Sequence, residues 1–174
     1  MSNVVPHGVI GRRLTVVASI TLLTAMVLAA TPASAHSPPN SHKERIHLKK
    51  RARSAIGTPY VYGGSSPSGF DCSGFTRWVF RRHGGSLPHS ALGQFLLGRE
   101  ARFKRIWKRQ NLRVGDLVFH RTTSALVGHT GVYVGHGRFI SATSSSGVRP
   151  QLLGDSYWGS RWVGGTRMPV VITE

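Results

Sequence analysis

The chain is expected to fold as an α+β domain, with N-terminal helices packed on a small antiparallel sheet. Helical periodicity is confined to the first half of the exported part of the chain, and from Asp116 onward the period becomes strand-like. Helices first and strands afterwards, without regular alternation, are the α+β pattern. A length of 174 residues without an internal repeat fits one domain plus a tail.

The tail comes first. Arg12-Arg13 precede an uncharged apolar run over residues 14–31, and Ala33-Ser34-Ala35 supplies small residues at a cleavage-like position. A basic stretch, an apolar stretch and an A-x-A site together describe a secretory signal peptide over 1–35. The same run approaches the length that spans a bilayer, so a retained anchor is the competing reading. The arginine pair leaves Sec and twin-arginine export open. Residues 36–43, HSPPNSHK, read as a short polar linker, and residues 44–174 as the folded domain.

Within the domain, ERIHLKKRARSAI over 44–56 is an amphipathic helix, ended by Gly57 and Pro59. Residues 57–70 form a Gly-, Ser- and Pro-rich loop, and a second helix covers 72–82 with Phe75, Val79 and Phe80 on one face. A basic connection over 86–113 carries one short helix near 89–97. Strands follow at 116–120, 129–134, 138–142 and around 162–167. Gly135-His136-Gly137 turns the middle pair into a hairpin, and Tyr157 and Trp158 sit in an aromatic loop before the last strand.

There are 23 Lys+Arg against 6 Asp+Glu, a net charge of +17, and losing 1–35 removes two arginines, leaving 21 − 6 = +15. A field of one sign concentrates the other near the surface, so nucleic acid, anionic lipid and anionic wall polymers all qualify as partners. Export makes a nucleic-acid partner unexpected, and no zinc-ligand cluster, helix-turn-helix pattern or RNP-like block accompanies the charge. No metal or other cofactor is expected: the histidines lack H-E-x-x-H spacing and there is one cysteine. A monomer is expected.

That single cysteine, Cys72, cannot form an internal disulfide in an exported chain, so it is either an inert buried thiol or a reactive one. Its position favours reactivity. Cys72 opens the second helix, where unsatisfied N–H groups and the helix dipole favour a thiolate and can donate to an oxyanion. Asp71 is placed to cap that helix, and a substrate-binding role is the alternative. A thiol also needs a proton acceptor. Among nine histidines, His129 stands out because it opens an apolar strand that would hold its ring. His42 and His47 are expected to be solvated, His83 to be charged at a helix C-terminus, and His89 and His120 to flank irregular segments. If Val134 pairs with Arg138, His129 shares a sheet face with Ser141 and Thr143, either of which could orient the imidazole. Trp158 and Trp162 are expected to pack in the core rather than line the cleft.

GTPYVYGGSSPSGFDCSGF, RVGDLVFH and GHTGVYVGHGRFISATSSSGV together resemble the signature blocks of the NlpC-type (NlpC/p-sixty) cell-wall cysteine peptidases, over roughly residues 44–169. The resemblance implies a papain-like fold and hydrolysis of peptidoglycan stem peptides, with the bond between D-γ-glutamate and a diamino acid favoured. It implies Cys72 as nucleophile and His129 as base. It further implies Tyr60 as a support for the oxyanion or thiol, and Asp71 and Ser73 as substrate-holding positions. The third catalytic position, commonly histidine in the family, falls on Ser141, whose hydroxyl is a weaker orienting group. The competing reading is a weak or inactive cationic protein that binds the wall with the same fold.

Overall fold

The computed structural model describes residues 42–83 and 85–169. The expected signal peptide and most of the expected linker lie outside these residues. Helix α1 (His42–Ser54) begins two residues before the expected helix, and buries Leu48 and Ala52 from a surface otherwise crowded with lysine and arginine. A two-rung ribbon, β1 (Ser65–Ser66) and β2 (Gly69–Phe70), forms inside the stretch expected to be loop. It leads directly into α2 (Cys72–Phe80), followed by the short α3 (Ala91–Leu96).

The sheet has six antiparallel strands rather than four. Four were expected: β4 (Leu117–His120), β5 (His129–Gly135), β6 (Arg138–Thr143) and β8 (Trp162–Arg167). The additions are β3 (Lys104–Ile106) in the basic connection and β7 (Gly147–Leu152), while the aromatic loop holds a turn of helix, α4 (Ser156–Ser160). The order is β3-β8-β4-β5-β6-β7. The additions stand at the two edges, where one strand partner suffices and a charged or Pro-containing run such as KRI or GVRPQL is tolerated. Such runs carry no apolar alternation, which is why periodicity missed them.

The hairpin differs from expectation by one residue. Gly135 pairs with Arg138, so the turn contains only His136 and Gly137, both at positive φ (52° and 64°). A register shift before Gly135 restores Tyr133↔Phe139 and Val132↔Ile140, the alignment that a Val134–Arg138 pair would also produce. His129, Ser141 and Thr143 therefore do share one sheet face.

Both faces of the sheet are covered. Leu117, Phe119, Val132, Ile140 and Ala142 pack with Leu48, Phe75, Val79 and Phe80 of α1 and α2. On the other face Val118 and Phe139 pack with Ile106, Leu112, Leu153 and Trp158. The outer layer is thin, and α4 supplies its central aromatic. Among the described residues no helix is long and apolar enough to cross a membrane.

Candidate active site

Cys72 is the first residue of α2, and the start of that helix is held from several sides. Asp71 is extended (φ −89°, ψ 176°), and its Oδ1 accepts from Gly74 N–H at 2.6 Å and from Ser73 Oγ at 2.9 Å. Its Oδ2 accepts from Gly63 N–H at 3.0 Å and lies 3.0 Å from His89 Nε2. A carboxylate offers about four acceptor positions, so Asp71 is fully engaged within the chain: it is a cap first. Gly74 has to be glycine, because a Cβ there would lie 2.0 Å from the Gly64 carbonyl oxygen.

Gln94 clamps the helix from beneath. Fully buried, it donates to Ser73 O at 3.0 Å and Pro88 O at 2.8 Å, and accepts from Thr76 Oγ1 at 2.7 Å. Thus α3, which has no charged residue, fixes the backbone next to the sulfur. Neither Gln94 nor His89 was singled out from sequence, since their partners are 18 to 21 residues away and no local pattern announces such contacts.

The sulfur lies over the start of β5. Burial pushes the Cys72 thiol up to about 11, against the pull of the backbone N–H groups of Thr130, Ser73 and Cys72 itself, while Asp71 adds to the rise. This corrects the sequence expectation: the helix N-terminus does favour the thiolate, but desolvation outweighs it in the free protein. His129 opens β5 and is 7% exposed. Burial lowers its imidazole to about 4. The resting pair is therefore a neutral thiol and a neutral imidazole.

Cys72 and His129 line the same open cavity, of about 770 Å³, with Tyr60, Thr143, Tyr157 and Trp158 on its walls. A second cavity of about 380 Å³ adjoins it, sharing Tyr60 and Cys72 and lined also by Tyr62, Asp71, Ser73 and His89. The sulfur thus sits where two halves of one cleft meet. Tyr60 is half-buried, and burial, then Cys72 and Asp71, push its phenol up, keeping it a hydrogen-bond donor. Ser73 is 5% exposed with its hydroxyl committed to Asp71, so it reaches a ligand only through that carboxylate.

Ser141 is fully buried on the face expected, yet its Oγ has no hydrogen-bond partner, and neither has His129 Nε2. Trp158 does what was expected and more. It is 6% exposed in the outer layer, its ring centroid lies 4.7 Å from that of His129, and it still lines the cleft. His83, expected to be charged, is buried beyond the end of α2, and burial and Arg51 both disfavour its imidazolium. His42 and His47 are exposed as expected.

A thiol at the first turn of a helix, opening with an imidazole into one cleft at the end of an antiparallel sheet, describes a cysteine hydrolase of papain-like architecture. The model of the NlpC/P60 family matches residues 57–167. The gamma-DL-glutamyl hydrolase of Bacillus subtilis strain 168 is 39% identical over 147 residues, covering 83% of this chain and 32% of that protein. The murein DD-endopeptidase MepS/murein LD-carboxypeptidase of Escherichia coli K12 is 39% identical over 107 residues, 61% of this chain and 53% of that protein. Among solved structures, an NlpC/P60 family protein from Bacillus cereus ATCC 10987 superposes with a TM-score of 0.64 at 26% identity, covering 77% of this chain and 42% of that one. The NlpC/p60 domain of the peptidoglycan hydrolase SagA superposes with a TM-score of 0.59 at 28% identity, over 71% of this chain and 98% of that domain. The chain belongs to the NlpC/P60 family, cell-wall hydrolases of the cysteine-peptidase type. It spans about a third to a half of the length of the two curated relatives.

Proposed function

We propose that the protein is an exported peptidoglycan endopeptidase that cuts stem peptides at the bond between D-γ-glutamate and a diamino acid. The observation that carries this reading is that Cys72 and His129 open into one cleft while Cys72 and Asp71 share its adjoining half. The relatives' names, a γ-DL-glutamyl hydrolase and a murein endopeptidase, support the substrate class.

The chemistry follows from the neutral pair. His129 takes the thiol proton as Cys72 attacks the scissile carbonyl, forming the C–S bond. The N–H of Cys72 and the Tyr60 hydroxyl donate to the oxyanion. His129 then returns the proton to the leaving amine as the C–N bond breaks. Water, deprotonated by His129, hydrolyses the thioester and releases the carboxylic acid. Asp71 offers its carboxylate to the substrate's amine at the His89 edge, where a donor can be exchanged, and Ser141 assists His129 modestly.

Wall polyanions are proposed as the second partner. Arg81 and Arg82 crowd Arg51 closely enough to lower its guanidinium after burial has done so, and a polyanion relieves that repulsion. Retention on isolated walls should fall steeply with salt.

Mass spectrometry of defined muropeptides digested by the exported form is the decisive experiment, with Cys72→Ala as control. New amine and carboxyl termini at the γ-glutamyl bond support the reading. Retention of muropeptides without cleavage supports the binding-protein alternative and overturns it.

A further inference from the structure

One buried group is not used by this mechanism. His120, at the end of β4, is fully buried, and neither of its ring nitrogens has a hydrogen-bond partner among the described residues. An imidazole with both nitrogens unsatisfied is costly to bury, so its placement calls for a reason. It is not loosely held. Its ring stacks on Phe139 (centroids 4.9 Å, 25°) and meets Trp158 edge-on at 5.0 Å.

The sheet register places it beside the base. His120 pairs directly with His129 across β4 and β5, so the two side chains project from the same face. Their centroids are 6.4 Å apart. Ser141 stands on that face too, on the far side of β5. Gly131 separates it from His129, and lacks the Cβ that would lie 2.7 Å from the Phe139 ring and 3.0 Å from Ser141 Cβ. His129 Nε2, both His120 nitrogens and Ser141 Oγ are all buried and unpaired, all on one sheet face behind the cleft. A 6.4 Å ring separation is too long for a direct N–H···N bond of about 3 Å and suits a bridge through one water, which needs two to four polar partners.

We propose that His120 is the positioning residue for His129, accepting the Nε2 proton of the base through one buried water that Ser141 Oγ helps to hold. This rests on the reading of His129 as the base. Fixing the proton on Nε2 leaves the other ring nitrogen unprotonated for the thiol, and an acceptor behind Nε2 supports the imidazolium that forms during attack. His120 suits the task because it stays uncharged: burial first, then His129 and Arg109, lower it to about 3. A cation there would oppose protonation of His129.

The test compares His120→Phe, which keeps a flat ring for Phe139 and Trp158, with His120→Gln, which restores an acceptor. Melting temperature and far-UV circular dichroism establish that each variant is folded. His120→Phe should lose roughly tenfold to a hundredfold in kcat, the scale of a misplaced catalytic group, with KM unchanged, and His120→Gln should recover part of it. Nitrogen-15 NMR of the imidazoles should show His129 as one tautomer, protonated on Nε2, in the wild type and as a mixture in His120→Phe. If folded His120→Phe keeps wild-type kcat and a single His129 tautomer, the proposal is wrong. If it fails to fold, His120→Gln decides, since a purely space-filling role predicts a lower melting temperature with an unaltered tautomer. Should the wild type cleave no muropeptide, the proposed function fails, and the tautomer measurement still tests the coupling.

Discussion

Cys72 and His129 are both pushed by desolvation toward their neutral forms, and this sets what pH does to the reaction. The competent base is unprotonated His129, whose imidazole is lowered to about 4. Activity should therefore persist below the ordinary histidine value of about 6.5 and fall only as pH approaches 4. A kcat/KM profile with its acid limb at 6.5 or above would contradict the buried, neutral pair. Cys72→Ala should abolish turnover while leaving the melting temperature near wild type, because the half-buried thiol closes no hydrogen bond on which the fold depends. Asp71 behaves differently, since its carboxylate caps α2 through Gly74 N–H. Asp71→Ala should cost about 1–2 kcal/mol of stability, the upper range for an N-cap, and also lower activity, measured by denaturant unfolding beside muropeptide turnover.

Elements contribute through where they end. Helix α2 aims its N-terminus at the cleft because β1 and β2 deliver the chain to Cys72, Gly74 lets that ribbon approach, and Gln94 of α3 ties down the first turn. Replacing Gln94 by Leu strands Ser73 O, Pro88 O and the Thr76 hydroxyl in a dry interior, at about 1–3 kcal/mol for each buried group left unmade. The expected outcome is a lowered unfolding midpoint together with reduced kcat, since the disturbed carbonyl belongs to the residue after the nucleophile. The far end of the sheet is held electrostatically. Asp116, 1% exposed, receives Arg167 Nε at 2.9 Å and Nη2 at 2.8 Å, and so joins the entry of β4 to the last residue of β8. Asp116→Ala leaves Arg167 buried without its carboxylate and should destabilise by about 3–5 kcal/mol, read by urea denaturation.

For the molecule as a whole, burying neutral histidines makes stability depend on acidity. Unfolded His129 and His120 bind protons below about 6.5, whereas folded they do so only near 4 and 3. Their contribution is fully present above the unfolded value and is lost as pH falls from about 6.5, each group giving a slope of about 1.4 kcal/mol per pH unit. The melting temperature should drop between pH 7 and pH 5, and His120→Phe should drop less. Equal pH sensitivity of variant and wild type would place the titration elsewhere.

Local sequence carried much of this. A cysteine opening a helix, an aspartate before it, a histidine opening a strand and a serine two strand-steps from a turn were all readable, because capping chemistry and the period of two are properties of short segments. The hairpin alignment that puts His129 and Ser141 on one face was readable for the same reason. What could not be read was long-range. Edge strands β3 and β7 carry no apolar alternation, and Gln94 and His89 meet partners 18 or more residues away. His120 closes a strand as an ordinary residue until β4 pairs with β5. Most of all, the neutrality of the thiol and imidazole depends on how much water the assembled layers exclude, and desolvation is a property of the packed molecule rather than of any stretch of chain.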